Sequence, residues 1–211
     1  MTFQSILNII LPHCQIHKYP ANHVLKDNSE NKLCFLLKGR AYSLIKNDRQ
    51  KKPQELILFD LNPGDFFGDL IFSSEREVER FDSCVKSTKI CEVAEISYDK
   101  LKNIIISSPA VLLYLSDQLA VRMNNYKARL IARDRPLAVR TQQLLETLLD
   151  GPHAVLHPDG VQIKISRKEI GARLGTSALR VSKALSLLKS QKIITVRGKS
   201  QNIVLLGARP E

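Results

Sequence analysis

Two cations one helical turn apart, Arg180 and Lys183, stand in the stretch RKEIGARLGTSALRVSKALSLL, residues 167 to 188. Long side chains ending in a guanidinium or an ammonium suit the O6 and N7 acceptors of guanine. Ala178 and Leu179, just before them, can only touch a thymine methyl or leave space. Ser177 adds a hydroxyl at a helix start, where backbone N–H groups and the macrodipole can hold a phosphate. This chemistry reads nucleic acid. It requires these side chains to share the first turns of a helix that projects from its domain.

The flanking sequence supplies that support. Ser166 can cap a first helix, with Glu169 three residues on as in a capping box, and this helix runs to about Leu174. Gly175 can take the left-handed backbone of a tight turn. A second helix then starts near Ser177 and buries Val181, Leu185 and Leu188. AVLHPDGVQIKI before it and IITVRGKSQNIVLL after it read as hairpins, turning at Asp159-Gly160 and Gly198. The sum is a winged helix-turn-helix whose second helix enters the major groove. Upstream, LAVRTQQLLETLLDG reads as a helix closed by Gly151. In RDRP, Asp134 is the expected N-cap, with Pro136 inside the first turn, and the domain boundary falls there.

A helix, a glycine turn and a helix also occur in ordinary α-rich domains, so charge has to decide. The 211 residues carry +11 overall. From Arg133 onward there are 14 Lys and Arg against 6 Asp and Glu, a surplus of +8, whereas the first 132 residues carry 18 against 15. A basic final third points to a polyanion, nucleic acid or an anionic membrane, and together with the following hairpin it favours double-stranded DNA.

Residues from about 15 to 98 form short β-rich runs with close turns, as in an antiparallel barrel or sandwich. After Tyr98 the period changes. Val111, Leu112, Leu115, Leu119, Met123, Leu130 and Ile131 make an apolar stripe at 3, 4 and 7 spacings on one long helix. Such a helix can pack on the barrel, pair with its copy as a short coiled coil, or share itself between both.

Other classes fare worse. Cys14, Cys34, Cys84 and Cys91 show no CxxC spacing, so no metal site is expected. Cys84 and Cys91, expected in neighbouring strands, leave a thiol redox sensor open. His13, His17 and His23 offer no singled-out haem ligand. No HExxH or Gly-rich phosphate loop appears, and His153 and His157 flank a hairpin, so no enzyme activity is expected. No stretch has the roughly 18 apolar residues of a membrane span, and MTFQSILNII lacks a basic leader, so a cytoplasmic protein without a membrane partner is expected.

HCQIHKYP, LNPGDFFGDL, CEVAEISY and HPDGVQIKISRKEIG, dispersed from His13 to Gly207, resemble the cyclic-AMP receptor protein and fumarate-nitrate regulator family of bacterial transcription regulators. The resemblance implies an α+β chain in three parts. These are a cyclic-nucleotide-binding-like β-roll over residues 1–108, a long dimerisation helix over 109–133 and a winged helix-turn-helix over 134–211. It implies a homodimer on DNA, with Arg167, Thr176, Ser177, Ala178, Leu179, Arg180, Lys183 and Lys199 at the interface. Arg167, Ser177 and Lys199 keep phosphate-side chemistry; Ala178, Leu179 and Lys183 depart from the family's Arg, Glu and Arg.

The ligand pocket departs further. The family's cyclic-AMP binders carry Gly-Glu-Leu for the ribose hydroxyl, an Arg-Ser pair for the cyclic phosphate and a Thr-Ser pair for adenine. Here Gly68-Asp69-Leu70 keeps a shorter acid, and Phe81-Asp82 and Tyr126-Lys127 replace the two pairs. Arg80 lies one position early, which in a strand turns it to the other face unless a bulge intervenes. No cofactor is therefore expected. Two polymerase-facing patches are partly kept. LHPDG, with His157, Pro158, Asp159 and Gly160, matches a contact to the α subunit of RNA polymerase, and His17, Glu95 and Lys100 match parts of a second, from which Gln15 departs. The readings left open are a DNA regulator independent of cyclic AMP, one answering another small ligand or a redox signal, and a scaffold with a relic nucleotide domain.

Overall fold

The computed structural model describes residues 2–26, 31–47, 54–68, 83–149, 151, 154–197 and 202–207, with backbone alone at 26, 46, 47, 54, 83 and 197. The chain divides into two compact units, residues 1–126 and 127–211.

The first unit opens with a helix that the sequence reading missed, α1 (Phe3–Ile10). The Thr2 hydroxyl caps it by accepting from the Ser5 N–H at 3.4 Å, and Ile6, Leu7 and Ile10 are buried. Eight strands follow: β1 (Gln15–Tyr19), β2 (Val24–Lys26), β3 (Lys32–Lys38), β4 (Ala41–Asn47), β5 (Gln54–Leu61), β6 (Phe66–Phe67), β7 (Ser83–Ser87) and β8 (Cys91–Ser97). They form two antiparallel sheets, ordered β1-β8-β3-β6 and β2-β7-β4-β5. This is the expected all-β roll.

Period-two alternation divides the core. On β3, Leu33 and Phe35 join one apolar cluster, and Cys34 and Leu36 join another. β8 does the same with Ala94 and Ile96 against Cys91 and Val93. Two helices complete the first cluster, α2 (Tyr98–Ser107) and α3 (Pro109–Ala132), which bury Leu101, Ile104, Val111 and Leu115 there. Ser108 lies between them, where the following proline disfavours helical backbone. The long helix is thus where the stripe placed it; α2 is an added element.

Cys84 and Cys91 are not on neighbouring strands. β7 pairs with β2 and β4, whereas β8 pairs with β1 and β3. β7 and β8 are successive in the chain but belong to different sheets, which sequence order does not reveal.

The second unit holds α4 (Leu137–Thr147), β9 (Ala154–His157), β10 (Gly160–Lys164), α5 (Arg167–Leu174), α6 (Ala178–Ser190), β11 (Ile194–Arg197) and β12 (Asn202–Leu206). Its sheet order is β11-β12-β10-β9. Leu145, Ile163, Ile170, Val181, Leu185, Leu188, Ile194 and Ile203 form one core beneath it. Two terminus expectations need correction. Asp134 is not the N-cap of α4; Pro136 is, with φ −51° and ψ 141° and no side-chain cap. A residue before proline avoids the α region, so helix cannot start ahead of Pro136. Nor does Gly151 close α4, which ends at Thr147 with Leu148 as C-cap, bonded back to Leu145. Among the described residues, no single helix is long and apolar enough to cross a membrane.

Candidate nucleic-acid interface and ligand pocket

The helix-turn-helix is assembled by local rules. The Ser166 hydroxyl caps α5 by accepting from the Glu169 N–H at 3.1 Å. The reciprocal half of a capping box is replaced by an ion pair: the Glu169 carboxylate accepts from Arg173 at 3.0 Å. Arg173 is thereby buried inside the unit, withdrawn from any DNA surface. Gly175 ends α5 at φ 64° and ψ 40°, the left-handed turn expected of it. Gly171 admits the close approach of the turn. The Thr176 N–H donates to its carbonyl at 2.9 Å, and a Cβ at Gly171 would stand 2.5 Å from the Thr176 oxygen. Arg140 steadies the same corner by donating to the Leu174 carbonyl at 2.8 Å.

Ser177 then caps α6, its hydroxyl accepting from the Arg180 N–H at 3.4 Å. Val181, Ala184, Leu185 and Leu188 face inward. Arg167, Ser177, Ala178, Leu179, Arg180 and Lys183 are all exposed, as an interface needs. Thr176 is the exception. Only 8% of its surface is exposed, and its hydroxyl is enclosed without a hydrogen-bond partner. It packs inside the turn, because the tight Gly171 approach folds it inward. Lys199 lies outside the described residues.

Of the pocket residues, Asp69, Leu70, Arg80, Phe81 and Asp82 also lie outside the described residues. Gly68 closes the described run with φ 123°, and Lys127 is exposed. Tyr126 is half-buried, its ring edge-on to Phe59 at 6.3 Å between centroids.

Beside Tyr126 stands a residue the sequence reading missed. The Arg122 guanidinium contacts the Phe59 and Phe66 rings, 4.6 and 4.4 Å from their centroids. It donates to the Phe66 carbonyl at 2.6 Å and pairs with Asp65 at 3.8 Å. Burial pulls its pKa below the ordinary guanidinium value, with Asp65 opposing. Burial likewise pushes the Asp65 carboxyl up, against the Asn62 N–H and Arg122. The Tyr114 hydroxyl donates to the Gly64 carbonyl at 2.7 Å. Two side chains of α3 are thus fastened to the β5–β6 region. The clue in the sequence was an arginine one turn before Tyr126, on a face otherwise turned to the core.

The polymerase-facing candidates divide. Glu95 is only 8% exposed, and its carboxylate accepts from Tyr19 at 2.7 Å and Lys32 at 3.4 Å, with His17 at 4.0 Å. His17 and Lys100 are exposed. In the β9–β10 turn, the His157 Nδ1 accepts from the Asp159 N–H at 3.2 Å, and Pro158 and Asp159 are exposed. Gly160 has φ 149°, and a Cβ there would strike the Leu205 carbonyl. The sheet itself therefore demands that glycine.

Residues 141–208 match the model of the Crp-like helix-turn-helix domain. The chain is 39% identical over 207 residues to the cAMP-activated global transcriptional regulator CRP of Pasteurella multocida, covering 96% of this chain and 95% of that one. The chain belongs to the CRP/FNR family of bacterial transcription regulators. It is a DNA-binding transcription regulator and not an enzyme. It is also 35% identical over 210 residues to the cAMP-activated global transcriptional regulator Vfr of Pseudomonas aeruginosa, covering 96% and 94% of the two chains. The c-di-GMP responsive global regulator CLP of Xanthomonas campestris shares the fold, with a TM-score of 0.83 over 97% and 99% of the two chains at 24% identity.

Proposed function

We propose that this chain acts in the bacterial cytoplasm as a homodimer that binds DNA without cyclic AMP. The observation that carries the reading is the Phe59–Arg122–Phe66 stack, with Tyr126 against Phe59. The protein's own side chains tie the long helix to the β-roll, which family resemblance would otherwise leave to a bound nucleotide. Phe81-Asp82, where an Arg-Ser pair would hold the cyclic phosphate, adds a carboxylate that repels an anion. Losing one charge-assisted contact and adding one repulsion each costs on the order of several kcal/mol, enough to abolish binding at cellular concentrations.

The dimer rests on how α3 divides its stripe. Val111 and Leu115 are buried in the first unit, whereas Leu112, Leu119, Met123 and Leu130 stay exposed at spacings of 7, 4 and 7. That is the seam of a two-stranded coiled coil. The two copies of α6 would then meet half-sites about 34 Å apart. In this reading Arg167, Ser177 and Lys199 hold phosphates. The exposed Pro158-Asp159 tip of the β9–β10 turn, with the mostly buried His157 beneath it, and His17 and Lys100 face RNA polymerase, the tip toward its α subunit. Glu95 positions His17 and Lys32 from beneath.

The 39% and 35% identity to cAMP-activated relatives favours one competing reading, a retained cyclic-AMP response. Calorimetry decides between them. No heat with cyclic AMP is expected, and a micromolar Kd would overturn the reading and point to Arg80 as the anchor.

A further inference from the structure

The exposed side of α6 is centred on an apolar residue. The helix turns about 100° per residue. The inward positions Val181, Ala184, Leu185 and Leu188 fix one side, and Leu179 falls opposite them, 69% exposed. Arg180 sits about 100° away from Leu179, on the flank. The hydroxyls on this side do not offer free protons: Ser182 donates to the Ala178 carbonyl and Ser186 to the Ser182 carbonyl, each at 3.0 Å, and Ser190 to the Leu187 carbonyl at 2.7 Å. Lys183 is the one long donor close to the centre of this face.

A leucine at the centre of a groove-facing surface has no hydrogen bond to give to a base edge. The one apolar group that the major groove displays is the thymine 5-methyl. We infer that Leu179 is a specificity-determining residue that packs on a thymine methyl in each half-site, while Arg180 grips the backbone at the flank. This assigns Arg180 differently from the sequence reading, which put it on bases; its angular position is the reason. The inference rests on the proposal that α6 is the recognition helix.

The test uses the full chain and a probe that removes only the methyl. Sites are enriched from random duplex DNA. Each thymine of the enriched half-site is then replaced in turn by deoxyuridine and binding is measured by gel shift. One thymine per half-site should lose about fourfold in affinity on replacement, the worth of one buried methyl. Leu179→Ala should bind thymine and uracil versions of that site equally, and Leu179→Met should restore part of the difference. Both variants keep good helix formers at an exposed position, so the fold is retained, as circular dichroism should show. Wild type indifferent to every uracil, or Leu179→Ala as sensitive as wild type, would overturn the inference while leaving DNA binding intact. A wild-type chain that enriches no site would remove the recognition-helix proposal and this inference together.

Discussion

The helix-turn-helix and the α3–β-roll junction hold their functional residues in opposite ways. In the first, most contacts span a few residues, Ser166 to Glu169, Gly171 to Thr176 and Ser177 to Arg180, with Arg140 to Leu174 the long-range exception. In the second, Arg122 reaches Phe59, Asp65 and Phe66 from more than fifty positions along the chain. The first is a surface that keeps its side chains free for a partner. The second consumes its cation internally, between two aromatic rings and beside Tyr126. One unit presents cations to an external polyanion, and the other holds one of its cations, Arg122, inside.

The largest effect should come from breaking the local side. Gly171→Leu drives a side chain into the Thr176 carbonyl, and overpacking of this kind costs about 3 kcal/mol. Urea unfolding followed by circular dichroism should show the second unit melting early, with DNA binding lost. Breaking the long-range side should cost nearly as much. Arg122→Ala leaves Asp65 without its cation and two rings without their contact, a loss of about 2–3 kcal/mol for a largely buried group. Arg122→Met, which keeps the packing, should cost less. If the stack stands in for a ligand, Arg122→Ala should weaken DNA binding more than its loss of stability explains; unaltered affinity at full folding would break the comparison.

How much was legible follows the same division. Ser166, Gly175 and Ser177 were readable because caps and left-handed turns depend on one residue and its immediate neighbours. The division of α3 between core and exterior was half readable: periodicity gave the stripe but not which residues each side would claim. Of the Arg122 stack only the position of Arg122, one turn before Tyr126, was readable, since nothing near it indicates that Phe59 and Phe66 will flank it. Thr176 shows the limit inside the local region too. It looked like an interface residue by position, yet the Gly171 approach folds it inside.

Within the DNA surface the expected effects are smaller. Lys183→Ala should cost about 1–3 kcal/mol on an enriched site and relax preference there. Arg167→Ala should weaken all sequences alike and flatten the salt dependence by about one unit. Binding across a salt series on enriched and random DNA separates the two; equal losses on both would blur base reading into backbone holding.

The smallest effect concerns the thiols. Burial pushes the Cys14 thiol up to about 11 and raises Cys91, which is buried and donates to the Arg40 carbonyl. At pH 8 about one Cys14 in a thousand is a thiolate. Alkylation of Cys14 in the folded protein, followed by mass spectrometry, should therefore be slow until the chain is unfolded. Rapid labelling, or DNA binding lost after mild oxidation, would revive a redox role.

The central claim is that the arrangement competent for DNA is built without a nucleotide. It is tested most directly by gel shift of the ligand-free chain on its own enriched site, across cyclic AMP from none to millimolar. The account predicts a shift at the lowest protein concentrations without nucleotide and the same midpoint throughout the titration. A shift that appears only with cyclic AMP, or a midpoint that falls tenfold as it is added, would contradict it.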